Sequence, residues 1–143
     1  MTPDPYNLQR FIDAQRASYT LVLMELEGGR KQSHWMWYIF PQIEGLGSST
    51  MARKYAISSL PEARAYLDHP TLGPRLRECT RLVSAVKRSP IEDILGHPDD
   101  LKFHSSMTLF AYATADNKIF LDALKKFYRG EFDDATLVRA LRF

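Results

Sequence analysis

Asp99, Lys102 and Ser106 follow one another at steps of three and four within Asp99 to Phe110. Wound as a helix at about 100° per residue, that spacing puts all three on one side, beside Phe103, Leu109, Phe110 and Ala113. Charged groups on a face that wants burial need partners. Asp99 can neutralise Lys102 one turn on, and Ser106 is near enough to Lys102 for a hydrogen bond or for loss of its hydroxyl proton. The set reads either as a catalytic Ser/Lys pair positioned by an aspartate, or as a helix-start ion pair followed by a core hydroxyl bonded to a backbone carbonyl.

His34 is a further catalytic candidate. Ser33 to Gln42 holds both tryptophans, Trp35 and Trp37, with Tyr38 and Phe40. The imidazole, with Tyr38 at i+4, could serve as a general acid or base, and the indoles could stack a flat ligand. The structural alternative is a core histidine satisfied by its neighbours. In the loop that follows, Gly45 and Gly47 permit close backbone approach, and Ser48, Ser49 and Thr50 supply hydroxyls. A helix start behind them, with Arg53 and Lys54 one turn on, would suit a phosphate or carboxylate, whereas the bland reading is a loop closed by an N-cap. Arg75 is set in the first turn of another helix by Gly73-Pro74, where a cation opposes the helix dipole unless an acidic side chain or an anionic ligand lies nearby.

Other chemistries are excluded. The chain has no Walker loop, HExxH, paired CxxC or GxSxG. Gly45-Leu46-Gly47 is half of a dinucleotide fingerprint, with Thr at position 50 and no strand before it. The four histidines at 34, 69, 97 and 104 lack metal-ligand spacing, so neither a metal nor a cofactor is expected. His104, at i+4 from Asp100, reads as half of a surface pair. Arg77, Arg81 and Arg88 form a stripe on one helix, but 19 Lys plus Arg against 17 Asp plus Glu leave a net charge of only +2, which does not point to nucleic acid.

The elements that must position these groups are helices. Leu8 to Leu26 repeats apolar residues at steps of three and four until Gly28-Gly29 stops it. Ser33 could cap an aromatic helix that Pro41 ends. Ser59-Leu60-Pro61-Glu62 and Ser89-Pro90-Ile91-Glu92 are capping boxes, and the second helix stops at Gly96. Leu72 to Val86, Pro98 to Thr114 and Asn117 to Tyr128 are further helices, and Asp133 or Asp134 caps the last. No segment alternates as a strand. The expectation is an all-α single domain over residues 1–143, a compact bundle of short and medium helices around a central aromatic-rich helix, without a sheet. A domain of this size buries about 70% of the surface of its unfolded chain, so it needs no staples. The one cysteine, Cys79, sits in an apolar helix pattern as a buried thiol. With Pro3, Asp4 and Pro5 in place of a basic and then apolar leader, and no long apolar window, the expected location is the cytoplasm, with no membrane association.

Together His34 to Gln42, Gly45-Leu46-Gly47, Tyr55-Ala56-Ile57-Ser58-Ser59, Leu72-Gly73-Pro74-Arg75-Leu76, Asp99 to Lys102 and Ser105 to Phe110 resemble a bacterial domain-of-unknown-function family, the one numbered eighteen-ten. The resemblance runs from about Asp4 to the last helix. It implies a mainly α-helical domain and brings no activity, substrate or catalytic residue.

Two functions compete. Trp35, Trp37, Gly45, Gly47, Ser49, Arg53, Arg75, Asp99 and Lys102 could converge on a small anionic ligand, phosphorylated or nucleotide-like, with His34, Lys102 and Ser106 as the catalytic candidates. Alternatively the polar residues are structural, and the chain is a non-catalytic interaction module using an exposed face such as the arginine stripe. Convergence on one cleft would favour the first.

Overall fold

Ser18 divides the first predicted helix. In the computed structural model, which describes residues 3–142, α1 spans Gln9–Arg16 and α2 spans Tyr19–Glu27. The Ser18 hydroxyl bonds back to the Ala14 carbonyl at 3.0 Å, and its N–H donates to Gln15 O at 3.1 Å in the tighter i to i−3 pattern. Such back-bonding bends helices. The apolar period continues across the break, which is why the sequence reads as one helix. Gly28 closes α2, and Gly29 turns the chain away with φ 80°.

The aromatic segment forms a single turn, α3 (Met36–Ile39), instead of a helix from Ser33 to Pro41. Ser33 does not cap it, because its hydroxyl donates to Glu25 Oε2 at 2.6 Å. Next come α4 (Thr50–Lys54), α5 (Leu60–Asp68), α6 (Leu72–Ala85), α7 (Ile91–Leu95), α8 (Asp99–Ala113), α9 (Lys118–Tyr128) and α10 (Asp134–Ala140). Strands are absent among the described residues, as expected of an all-α chain. One parallel bridge joins Ile43 to Ile57, with Glu44 N donating to Ile57 O and Ile57 N to Gln42 O, both at 2.8 Å. It ties the start of the glycine loop to the segment entering α5.

The predicted caps have mixed outcomes. Ser59 accepts the Glu62 N–H at 3.3 Å, but the Glu62 carboxylate serves Ser58 and Arg10 instead of closing the box on Ser59. Asp133 caps α10 through the Thr136 N–H at 3.2 Å. The box at Ser89 does not form. Pro90, in extended backbone with ψ 155°, is itself the N-cap residue, which leaves Ser89 outside the helix.

The centre of the bundle is α8. Every residue from Ser105 to Ala111 is buried, and α5, α7, α9 and α10 pack around it. Phe103 meets Phe40 edge to face at 4.9 Å between ring centres, and Phe110 meets Tyr66 at 5.5 Å and Phe120 at 6.0 Å. These contacts hold α8 against the aromatic turn, so the charged start of α8 is carried to the tryptophans. Among the described residues no helix is long and apolar enough to cross a membrane.

Candidate functional site

The site begins with a residue that the sequence reading overlooked. Glu25 is buried on α2, and its carboxylate accepts the N–H groups of Gln32 and Ser33, the Ser33 hydroxyl and the Trp35 indole N–H, at 2.7, 2.9, 2.6 and 3.0 Å. Burial alone would push this carboxyl up. The donors from Ser33, Gln32 and Trp35 outweigh it and hold the group at about 2, against an ordinary 4.5. Glu25 thereby fixes the loop that leads into α3. Its signal was a carboxylate next to Leu26 on the apolar stripe of α2, the same kind of signal that singled out Asp99.

That loop delivers Lys31 to the start of α8. Its N–H donates to Ile94 O at 2.7 Å, and its ammonium lies 2.9 Å from Asp99 Oδ2 and 5.2 Å from the centre of the Trp35 ring. Lys102 approaches the other oxygen, Nζ to Oδ1 3.5 Å, and stands 5.3 Å over the Trp37 ring. One carboxylate therefore serves two ammonium groups, each on a tryptophan face. The two differ in access: the Lys31 side chain is 8% exposed and that of Lys102 26%. Trp35 is buried, while Trp37 is half-buried.

Ser106 lies one turn beyond Lys102 and is fully buried. Its hydroxyl has no hydrogen-bond partner among the described residues, so it is bonded neither to Lys102 nor to the carbonyl one turn back. Its neighbours Ser105 and Thr108 do bond back, to Leu101 O and His104 O. His34 is exposed on the loop. His104 is not paired with Asp100: it stacks on Tyr128 at 4.0 Å and bonds Glu131 O, while Asp100 Oδ1 lies 2.8 Å from His97 Nδ1.

The glycine loop forms a second neighbourhood. At Gly45, where φ is 96°, a Cβ would lie 2.1 Å from Nη1 of Arg139, so the close approach is made by a side chain from the end of α10. At Gly47 a Cβ would lie 2.6 Å from that of Ala52. Ser49 accepts the Ala52 N–H at 3.1 Å as the cap of α4, and Arg53 is exposed.

Arg75 belongs to a third group. Its guanidinium covers the Tyr19 ring at 4.5 Å and donates to Gln15 Oε1 at 3.3 Å. Gln15 Nε2 in turn donates to Tyr38 O at 2.8 Å and to the Tyr66 hydroxyl at 3.2 Å. Arg75 forms no ion pair among the described residues. Tyr19 and Cys79 lie beside it, with their oxygen and sulfur 4.0 Å apart, and burial pushes the Cys79 thiol up to about 12. Adjacent residues of α3 thus mark two sites, the Trp37 ring toward Lys102 and the Tyr38 carbonyl toward Gln15 and Arg75.

A family model described as a protein of unknown function, DUF1810, matches residues 5–140. The chain belongs to that family. No curated protein matches it. The chain is similar to the crystal structure of the conserved hypothetical protein Rv1873 from Mycobacterium tuberculosis, which is 54% identical with a TM-score of 0.96, over 98% of this chain and 100% of that one. Neither description names an activity for this DUF1810 chain.

Proposed function

We propose that the protein binds a small anionic ligand, phosphorylated or nucleotide-like, at the Lys102 and Trp37 edge of the Asp99 cluster. The observation that carries this reading is the sharing of Asp99 by Lys31 and Lys102, which leaves a partly buried trio with one positive charge in excess. Water is partly excluded there, so an unbalanced ammonium attracts an anion more strongly than a surface lysine does. Lys102 is the more accessible of the two, and the half-buried Trp37 beside it offers an aromatic surface to a planar group.

Binding is better supported than nucleophilic catalysis. The Ser106 hydroxyl is fully buried and has no bond to Lys102, whose ammonium is turned to Asp99 and Trp37. The alternative, an interaction module working through the arginine stripe, has less behind it. Arg81 closes on Glu78 at 2.7 Å, and Arg77 donates to Asp116 O while covering Phe120.

The test is calorimetric titration with inorganic phosphate and with adenosine monophosphate at constant ionic strength. The nucleotide should bind, and Lys102→Met should weaken it about tenfold or more, the loss expected of one charge-assisted contact. Heats equal to those of chloride, or equal affinity in the variant, would overturn the reading.

A further inference from the structure

A cavity of about 380 Å³ lies on the outer side of α5, lined by Leu60, Pro61, Arg64, Ala65, Asp68 and Tyr112. Its volume falls within the range of small-molecule sites, about 300 to 1,000 Å³. Leu60, Pro61 and Ala65 give it an apolar wall, and Tyr112, 39% exposed, is braced edge to face on Phe132 at 5.1 Å.

Two exposed charged groups, Arg64 and Asp68, line this cavity. Arg64 and Asp68 are one helical turn apart on α5, the spacing at which Lys118 and Asp122 close to 2.7 Å on α9. Arg64 and Asp68 do not pair with each other. Arg64 Nε donates instead to the Ala113 carbonyl at the end of α8, 3.1 Å away, which orients the guanidinium and leaves its terminal nitrogens without a protein partner among the described residues. The Asp68 carboxylate has neither an ion pair nor a hydrogen bond among the described residues. It is also the last residue of α5, and that last turn holds no basic residue. An exposed carboxylate at the negative end of a helix is mildly unfavourable, and a cation beside it relieves this.

We infer that this cavity is a second ligand site, independent of the Asp99 cluster, that takes a free α-amino acid with an apolar side chain. Arg64 receives the carboxylate through its free fork, Asp68 receives the ammonium, and the Leu60, Pro61 and Tyr112 surfaces cover the side chain. An amino acid offers a counter-charge to each of them from neighbouring atoms. A simple anion or a simple amine supplies only one.

The experiment follows the backbone amide resonances of α5 and Tyr112 in the full chain during titration with L-phenylalanine, 3-phenylpropionate, which lacks the ammonium, and 2-phenylethylamine, which lacks the carboxylate. Phenylalanine should shift these resonances saturably at millimolar concentration, with each analogue weaker by about tenfold or more. Asp68→Asn breaks no bond in the fold. It should reduce phenylalanine to the affinity of 3-phenylpropionate and leave 3-phenylpropionate unchanged. Equal binding of the three compounds, phenylalanine binding untouched by Asp68→Asn, or no movement of α5 resonances would overturn the inference. Lys102→Met should leave this titration unchanged, so failure here and failure at the Asp99 cluster are read separately.

Discussion

The indole N–H of Trp35 donates to Glu25 Oε1 at 3.0 Å. Through this bond and its companions from Gln32 and Ser33, one buried carboxylate on α2 decides where the tryptophan loop runs, and hence where Lys31 meets Asp99.

Stability should fall in acid in a defined window. The carboxyl of Glu25 is held at about 2 in the folded chain against 4.5 ordinarily. A group depressed on folding contributes stability that is full above its unfolded value and is lost as pH drops through its folded value. The loss should therefore run from about 4.5 down to about 2, and amount to about 3 kcal/mol at most. Urea unfolding at a series of pH values should show this slope, and Glu25→Gln should be less stable at neutral pH with a flatter acid limb. An unchanged acid limb would show that the bonds to Glu25 contribute nothing.

The two lysines on Asp99 should behave differently. Lys31, at 8% exposure, is the enclosed partner. Lys31→Met should destabilise more, by about 2 kcal/mol, because the closer and more enclosed partner is lost and only Lys102, 3.5 Å away, remains on Asp99. Lys102→Met leaves Asp99 paired with Lys31 and should cost about 1 kcal/mol or less. Equal losses in urea would contradict the division of roles between them.

Cys79 should be inert in the native chain. It is fully buried with its thiol pushed up to about 12, so thiolate at neutral pH is negligible. Labelling by a thiol reagent should be slow and accelerated by urea, since it waits for opening of the fold. Rapid stoichiometric labelling without denaturant would place the thiol at the surface.

Gly73 should be harder to replace than Gly130. A Cβ there would lie 2.0 Å from the Leu67 carbonyl oxygen, and backbone cannot swing aside as a side chain does. Gly73→Ala should cost about 3 kcal/mol by overpacking the α5 to α6 corner. Gly130→Ala meets nothing within 4 Å and carries only the strain of φ 77°, about 1 kcal/mol. Thermal unfolding of the two variants ranks them.

What the sequence by itself determined is what local spacing can encode. Apolar steps of three and four place the core faces of α6 and α9, and Gly28 and Gly96 mark helix ends. Asp133 caps its helix, and Asp99 with Lys102 is a pair within one turn, 3.5 Å apart as the i to i+3 spacing allows. Each of these interactions closes inside a helix or at its end, so neighbours in sequence suffice to specify it. Tertiary structure alone decided that Lys31 takes the other oxygen of Asp99, that Glu25 holds the Ser33 hydroxyl which would otherwise cap a helix, and that Arg139 fills the space over Gly45. It also separated Arg75 and the glycine loop from the Asp99 cluster. These partners lie in different elements, and a single carboxylate or ammonium on a helix face carries no label for the distant group that will neutralise it. Only the packing of α8 against the aromatic turn selects that group, by bringing one set of charges out of water together.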